Sequence, residues 1–566
     1  MPDGTIYIAV IIAVIVLLAL RYRASLKSCR QERMRKMRES WGKAPEREYA
    51  PGEMERISRM FALRAQDAPY IDDITWRDLD MDAVYKRMNI CGSSLGDEYL
   101  YMTLRMPVRS QEPLKERDAL AEYMSRSADE RAQIMDCFYE LGRKKNRAFA
   151  DDMRLLESLP QIAIWPHILA MALLAAGIIA FAVRPRTGVF ILIAVIAANI
   201  FTYYREKSRV SEYMGALGTA ASLVKCGLAI CGGKEHCGAL SPCMTVIKES
   251  CHELGSIKSQ AWIYADAGAG GDSIVRALVD YACMITHLDL LLLGRISRLL
   301  NDRMEALSAL ADAMGRLELA ICTGNLREGA GIWCRPEFTD GLAISFSDMR
   351  HPLVSDCVPN SLSRGQRVLL TGSNASGKST FLKMTGVNAI LAQTVCTAYA
   401  ASFEMPFAYV YSSMSLTDSI EQGESYYMAE LKSLKRILTA SAPSEQEDQP
   451  AVLCILDEVL RGTNTVERIS ASAKVLESMA KRRMICMAAT HDLELARLLE
   501  GEWANYHFDE QLEDGDVAFS YRLKPGPSDT RNAVRLLGSM GFDPAVVSAA
   551  DEMAARFERT GRWSME

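Results

Sequence analysis

The sequence has no excess of basic residues and no paired cysteine motif. Its 566 residues carry 65 Lys and Arg against 71 Asp and Glu, which gives a formal net charge of −6. This balance excludes a global attraction to nucleic acid, so any basic patch must be local. The 15 cysteines are scattered, and no two are spaced as Cys-x-x-Cys. That distribution favours free thiols in a reducing compartment over a disulfide framework.

The N-terminus also lacks the features of a secretory signal peptide. No basic residue precedes the apolar run at 6–20, and no small-residue cleavage site follows it. Residues 21–38 instead contain eight Lys and Arg and one Glu. We therefore predict a transmembrane helix at 1–22 with its N-terminus outside, and a basic cytosolic linker at 23–72. The basic run is either a solvated helix face or a surface that contacts anionic lipid.

Two further apolar runs, 162–183 and 188–204, are separated only by residues 184–187. Neither shows a polar stripe, which favours a transmembrane hairpin at 162–204 over the core hairpin of a soluble bundle. Three spans would place the rest of the chain in the cytosol at the cell membrane, although Arg184 and Arg186 then lie on the outer side.

The segments beside the hairpin, 73–161 and 205–330, are expected to form a helical core in two parts. The leucine-rich stretch 289–314 predicts one long helix. Seven Cys and His residues lie between 226 and 252 at spacings that match no standard zinc site. We expect buried packing there, and no metal cluster.

Residues 372–379, Gly-Ser-Asn-Ala-Ser-Gly-Lys-Ser, fit the phosphate-binding pattern G-x-x-x-x-G-K-[ST]. An apolar strand is expected at 368–371 and a helix at 381–395, which is the context that the motif requires. Backbone N–H groups and the positive end of the helix would hold the phosphates of ATP. Lys378 would bind the β- and γ-phosphates, and the Ser379 hydroxyl would bind Mg²⁺. The predicted nucleotide-binding residues are Gly372, Ser373, Asn374, Ala375, Ser376, Gly377, Lys378, Ser379 and Thr380.

A second apolar strand, at 452–456, ends in Asp457 and Glu458. Two acids at the end of such a strand are typical of a Walker B motif. Asp457 would bind Mg²⁺, and Glu458 would orient or deprotonate the attacking water. A third strand, at 484–489, would bring His491 to the same edge, where open α/β sheets bind ligands. His491 is expected to contact the γ-phosphate or the water. Residues 331–550 thus predict an α/β nucleotide domain, followed by a helix or tail at 551–566.

Together these motifs resemble the MutS family of ATP-driven DNA repair proteins. The resemblance rests on His351-Pro352, on the segment Asp-Glu-Val-Leu-Arg-Gly-Thr-Asn-Thr at 457–465, and on Thr490-His491. Residues 418–431 resemble the signature segment of that family, which reaches across a dimer to the nucleotide of the partner. The resemblance therefore implies a homodimer in which Ser425 acts in trans, with ATP and Mg²⁺ as cofactors and DNA as a candidate partner.

The sequence departs from this family before residue 73, where no Phe-x-Glu reader motif occurs. We therefore expect a membrane-anchored variant without the mismatch-recognition domain. Its fold would combine an α-helical core, interrupted by the hairpin, with a MutS-like P-loop ATPase domain. The expected function is ATP hydrolysis with DNA binding. One alternative is a mechanochemical switch that acts on a membrane or protein partner without DNA. An exporter ATPase is disfavoured, because a Leu-Ser-Gly-Gly-Gln signature is missing.

Overall fold

The computed structural model describes residues 3–65, 69–160, 163–232, 238–255, 274–372, 376–414, 426–441, 450–513, 516–528, 534, 537–538, 540–560 and 563–564. The chain divides into two compact units. The first comprises residues 1–68, 88–102 and 116–329, and the second comprises residues 69–87, 103–115 and 330–566.

The chain before residue 331 is helical, as expected. In chain order its α-helices are α1 (Asp3–Glu39), α2 (Glu53–Ile57), α3 (Arg59–Arg64), α4 (Asp73–Asp78), α5 (Met81–Met88), α6 (Ser94–Arg105), α7 (Gln111–Arg126), α8 (Ala128–Leu141), α9 (Phe149–Glu157), α10 (Trp165–Val183), α11 (Pro185–Cys231), α12 (Ser241–Glu253), α13 (Ile274–Thr286), α14 (Leu288–Asn301) and α15 (Met304–Ala330).

The prediction of one continuous helix at 289–314 is wrong, because two helices cover this stretch. α14 ends at Asn301 and α15 begins at Met304. The interruption is Asp302 and Arg303, directly after Asn301. Asn and Asp have low helix propensity because their side chains compete for backbone hydrogen bonds.

Helix α1 packs its basic half onto the helical unit. Arg30 and Arg33 both donate to the carboxylate of Asp136 on α8, at 2.6 Å each. The guanidinium of Arg33 also lies 4.6 Å from the ring centroid of Tyr139. Because the Asp136 carboxylate is fully buried, the two arginines neutralise a charge that would otherwise be costly there. Part of the basic run is thus an intramolecular contact surface.

Buried polar contacts also hold the centre of the first unit. Glu318 on α15 accepts hydrogen bonds from the backbone N–H groups of Gly92 and Ser93, at 2.6 and 3.2 Å. Asp97 on α6 accepts from Arg47 and Arg143, at 2.9 and 2.8 Å. These bonds fix α6 against α15 and against the segments on either side of it.

Helices α10 and α11 form the predicted apolar hairpin. Among the described residues they are long and apolar enough to cross a membrane, and α13 with α14, bent by 79°, would be a third span if counted together. The N-terminal apolar run lies in α1. The hairpin exposes large apolar side chains such as Ile179, Val183 and Phe190. α11 does not end where its apolar run ends, but continues as one helix of 47 residues to Cys231.

The inner face of this hairpin carries a buried polar cluster. His167 on α10 and His287, which separates α13 from α14, share a hydrogen bond between their Nδ1 atoms at 3.1 Å. Asn199 on α11 donates to the carbonyls of Ala170 and Ile285, at 3.2 and 3.0 Å. His287 has a left-handed backbone with φ of 59°. The cluster therefore joins the hairpin to the bend between α13 and α14.

The cysteine and histidine residues between 226 and 252 lie partly within the described chain. Cys226 and Cys251 are buried, and the thiol of Cys226 donates to the carbonyl of Cys137 at 3.3 Å. His236 and Cys237 lie outside the described residues. Among the residues that the structure does describe, no group of three or more His, Cys, Asp or Glu could hold a metal ion.

The second unit is an α/β fold around two sheets. Its strands are β1 (Glu337–Phe338), β2 (Ile344–Met349), β3 (Asn360–Gly365), β4 (Arg367–Thr371), β5 (Ser402–Met405), β6 (Ala408–Ser413), β7 (Ala451–Asp457), β8 (Met484–Ala489), β9 (Ala504–Glu513) and β10 (Asp516–Pro525). Its later helices are α16 (Lys378–Val395), α17 (Tyr426–Ala440), α18 (Thr465–Ala480), α19 (Leu493–Leu498) and α20 (Pro544–Thr560).

The larger sheet has the strand order β10-β9-β4-β8-β7-β6. Its strands are parallel except for the β9–β10 hairpin at one edge. Residues of β4, β7 and β8 are almost entirely buried, as the continuous apolar runs predict for a sheet covered on both faces. The C-terminal ends of β4, β7 and β8 therefore meet at one edge.

Candidate functional site

Strand β4 and helix α16 position the predicted phosphate loop. β4 lies between β8 and β9 and is parallel to both, and α16 begins at Lys378 rather than at residue 381. Gly372 and Gly377 have φ angles of 133° and 106°, a backbone region that only glycine adopts readily. Ser376 is buried between them. Residues 373–375, the predicted Ser373, Asn374 and Ala375, lie outside the described chain.

Lys378 lies at the start of α16 with its side chain folded back along the loop. Its ammonium group donates to the carbonyl of Gly372 at 2.7 Å, and the residue is almost fully buried. An ammonium group has three donors, so it can bind a loop carbonyl and phosphate oxygens together. Thr380, two residues further along the helix, is exposed.

The two predicted magnesium ligands lie side by side. The hydroxyl of Ser379 donates to Oδ2 of Asp457 at 2.5 Å. Oδ1 of Asp457 is buried and has no hydrogen-bond partner among the described residues. Such an oxygen is costly unless a ligand satisfies it. A hydroxyl beside a carboxylate is a donor set that suits Mg²⁺, whose remaining ligands are usually phosphate oxygens and water. The residues therefore fit the ion.

Glu458 lies at the head of the turn that follows β7. His491 Nε2 lies 2.5 Å from one carboxylate oxygen, and Arg461 forms an ion pair with the other. Burial acts to raise the pKa of Glu458, but the hydrogen bond from His491 and the positive charges of His491, Arg461 and Lys378 outweigh it, so the pKa lies below its ordinary value. The carboxylate is thus held ionised, as a general base must be.

His491 is placed by its neighbours at the end of β8. The backbone N–H of Thr490 donates to the carbonyl of Leu370 in β4, at 2.9 Å. Arg468 on α18 donates twice to the carboxylate of Asp492, at 2.9 and 2.7 Å. His491 lies between these two fixed residues and retains about a third of its side-chain exposure. The structure thus brings together Lys378, Ser379, Asp457, Glu458 and His491.

The turn after β7 contains two strained residues. Glu458 and Leu460 have φ angles of 55° and 62°, which cost roughly 1–3 kcal/mol each for residues other than glycine. Glu430 on α17 accepts hydrogen bonds from the backbone N–H groups of Leu460 and Arg461. Burial raises the pKa of Glu430, although these N–H groups act to lower it. Glu430 belongs to the segment 418–431 that resembles the family signature, but the sequence did not predict its contact with this turn.

Tyr521 is a second residue that the sequence did not indicate. Its ring lies beside the phosphate loop, where a Cβ on Gly377 would approach it at 3.1 Å. The residue has φ of 52° and interrupts the β9–β10 register between Phe519 and Leu523. Asn360 secures it by donating to the Tyr521 carbonyl at 2.9 Å. An exposed aromatic ring therefore stands next to the loop.

Most of the segment at 418–431 that resembles the family signature lies outside the described chain. Residues 415–425, which include Ser425, are not among the described residues. Hydrogen bonds to α4 and to its cap hold the residues on both sides of this segment. Asp78 on α4 accepts from the Ser412 hydroxyl at 2.7 Å and from the Met414 N–H at 2.9 Å. Asp72, which caps α4, accepts from Arg436 on α17 at 2.5 Å.

His351, of the predicted entry motif, is buried within the second unit. Its Nδ1 accepts a hydrogen bond from the backbone N–H of Leu353 at 3.1 Å. Burial, together with the positive charge of Lys383, lowers the pKa of His351 to about 4. His351 therefore stays neutral and stabilises the loop between β2 and β3.

Comparisons with known proteins find similarity in this part of the chain. Residues 368–558 match the family described as MutS domain V. The DNA mismatch repair protein MutS of Thermus aquaticus is 32% identical over 263 residues, which are 45% of this chain and 31% of that protein. The proteins of the same name from Erythrobacter litoralis and Rickettsia bellii are 30% and 27% identical, over 46% and 50% of this chain and 30% and 32% of theirs.

The chain thus spans about a third of the length of these curated relatives. The C-terminal half of this chain is similar to MutS proteins, and it contains a region that matches MutS domain V.

Proposed function

We propose that this chain is a membrane-anchored ATPase of the MutS type that works as a homodimer. One observation carries the proposal. The Ser379 hydroxyl and the Asp457 carboxylate adjoin each other, with a buried oxygen left unpaired among the described residues, at the same sheet edge as Glu458. This arrangement suits a nucleoside triphosphate with its metal ion.

In this proposal the chain binds ATP through the backbone of residues 372–380 and the ammonium group of Lys378. Mg²⁺ held by Ser379 and Asp457 would neutralise charge on the β- and γ-phosphates. Glu458 accepts a proton from the attacking water, and His491 keeps the carboxylate in place. The exposed ring of Tyr521 offers a flat apolar surface on which the base could stack.

The membrane anchor rests on the apolar hairpin. α10 has 19 residues, or about 28 Å at the rise of an α-helix, which is close to the roughly 30 Å hydrocarbon thickness of a bilayer. The exposed side chains along it are mainly apolar. The dimer rests on the resemblance of residues 418–431 to a segment that acts in trans through Ser425. Specific ATPase activity should therefore fall on dilution, and activity independent of concentration would contradict the dimer.

DNA is the proposed partner because the relatives carry the name DNA mismatch repair protein. The test is ATP hydrolysis by the full chain in nanodiscs with duplex or branched DNA, across a salt series. Phosphate contacts predict stimulation that decreases with salt, because log K falls linearly with log salt concentration. Hydrolysis that is indifferent to all DNA would favour the alternative.

That alternative is a mechanochemical switch that acts on a membrane partner without DNA. It is favoured by the continuous helix α11, which runs from the apolar hairpin into the helical core without a break.

The catalytic assignment is tested by Glu458→Gln. The variant should bind ATP as the wild type does, because the amide has nearly the shape of the carboxylate. It should hydrolyse ATP about 100-fold or more slowly, because the general base is lost. Glu467→Gln, on the exposed start of α18, is the matched control. Turnover of Glu458→Gln at the wild-type rate would disprove the assignment.

A further inference from the structure

Helix α17 contacts the turn that carries Glu458 through two hydrogen bonds. Oε1 of Glu430 accepts from the backbone N–H of Leu460 at 2.5 Å and from that of Arg461 at 3.3 Å. Glu430 is buried, with 3% of its surface exposed. A buried carboxylate that accepts two backbone N–H bonds replaces the water that an open turn would bind.

A second contact brings the same helix and turn together. A Cβ on Gly462 would lie 2.8 Å from Cβ of Tyr427 and 3.2 Å from its Cα. Only a residue without a side chain allows this approach of the turn to the backbone of α17. The two contacts are independent, since one is polar and the other is steric.

The turn needs such support because its backbone is strained. Glu458 and Leu460 both have positive φ angles, and such residues persist only where the surroundings hold them. The N–H of Glu458 is fixed separately, by donation to the carbonyl of Ala489 at 2.9 Å. The bonds to Glu430 fix the other end of the turn, two residues beyond the carboxylate that faces His491.

We propose that Glu430 is a positioning residue for Glu458, holding the 458–462 turn so that the carboxylate meets the attacking water. The inference rests on the proposed ATPase function and deepens it. In this role Glu430 acts through the backbone of Leu460 and Arg461 and not on the nucleotide itself.

The test compares Glu430→Ala, Glu430→Gln and wild type as full chains in nanodiscs, with ATP hydrolysis and binding of a fluorescent ATP analogue as readouts. Glu430→Ala should lower kcat at least about tenfold, with KM and analogue affinity within about twofold of wild type. Glu430→Gln keeps the accepting oxygen and should restore kcat to within about threefold. Glu477→Ala is the control, a partly exposed acid on α18 that pairs only with Lys474 and Lys481 among the described residues.

Two further variants separate positioning from general stability. In a Glu458→Gln background, Glu430→Ala should have no further effect on the residual rate, because its target is already absent. Gly462→Ala should lower kcat in the same way as Glu430→Ala, with nucleotide binding unchanged. Equal losses of kcat and of ATP affinity in Glu430→Ala would overturn the inference and indicate a structural role.

The failures of the two ideas are distinguishable. A wild-type kcat in Glu430→Ala beside an active wild type would overturn the positioning role alone. A wild-type chain that hydrolyses no ATP would overturn the proposed function, and this inference with it.

Discussion

Two lysines on α16 have the same charge and different surroundings. Lys378 points along the phosphate loop to the carbonyl of Gly372, whereas Lys383, little more than one turn later, donates to Asp80 at 2.6 Å. Lys378→Ala should weaken binding of an ATP analogue about 10- to 100-fold, since a charged hydrogen bond contributes about 1.5–3 kcal/mol. Lys383→Ala should leave the affinity within about twofold, and equal losses in both variants would contradict the assigned role. Equilibrium titration in detergent measures both.

His351 predicts a pH dependence of stability. Its pKa of about 4 in the folded chain lies below the ordinary value of 6.5. The unfolded chain therefore takes up a proton between these values while the folded chain does not. The contribution of neutral His351 to the free energy of unfolding is fully present above pH 6.5. It declines as the pH falls towards 4, by up to about 1.4 kcal/mol per pH unit.

The variant His351→Asn isolates this effect. Its side-chain oxygen can still accept from the Leu353 N–H but does not titrate. The difference in Tm between wild type and His351→Asn should therefore change in favour of the variant as the pH is lowered from 7 to 4.5. A difference that stays constant over this range would show that His351 does not titrate as the structure indicates.

The sequence predicted candidate site residues and buried strands by their local patterns, but it did not predict contacts between distant parts of the chain. β8 was predicted at 484–489 and spans Met484–Ala489, because six buried apolar residues have a strong pattern. Glu430 lies within the segment 418–431 that the sequence singled out, but its bond to a turn 30 residues later was missed, because such a pairing has no periodicity. Tyr521 was missed because a positive φ within a strand leaves no sequence signature.

At the level of elements, the apolar hairpin depends on a close approach of two helices. A Cβ on Gly188 would lie 2.4 Å from the Phe181 Cα, a backbone atom that cannot rotate away. Gly188→Leu should therefore separate α10 from α11 and lower the thermal midpoint of helix loss in micelles by about 3–10 °C, since overpacking costs roughly 1–3 kcal/mol.

Gly177→Ala is the comparison variant, at a glycine of α10 where a Cβ has more room. Its Cβ would lie 3.3 Å from Cδ1 of Leu192, the flexible end of a side chain, so the midpoint should stay nearly unchanged. Circular dichroism of both variants measures the effect. A Gly188→Leu chain as stable as the Gly177→Ala chain would mean that the two helices do not pack as described.

Helix boundaries were predicted less well than helix existence. The predicted hairpin ended at residue 204, where the apolar run ends, but α11 continues through Arg205 and Tyr213. No proline or glycine interrupts residues 205–214, so the helix has no reason to stop where its environment changes. The basic run after the first apolar segment was expected to contact solvent or lipid, and its packing onto Asp136 could not be seen without the partner helix.

At the level of the whole molecule, the proposed topology makes a prediction of its own. With three spans, residues 184–187 face outward and residues from 205 onward face the cytosol. Thr187→Cys should therefore react with a membrane-impermeant maleimide on intact cells, whereas Ser208→Cys should react only after permeabilisation. The wild-type chain provides the background, since Cys29 is exposed on the proposed cytosolic side. Labelling of Ser208→Cys from outside would invert the topology.

Because helix α11 is unbroken, an insertion in it should matter through the rotation that it causes about the helix axis rather than through the number of residues added. Asn199 and Tyr203 face the hairpin interior, and Ala216, Ala220 and Val224 face the helical core, on the same rigid cylinder. Each residue turns an α-helix by about 100°. Inserting one residue near 210 would rotate one set of contacts away from its neighbours, whereas inserting seven would return it to within about 20°. Seven added residues should therefore be tolerated better than one.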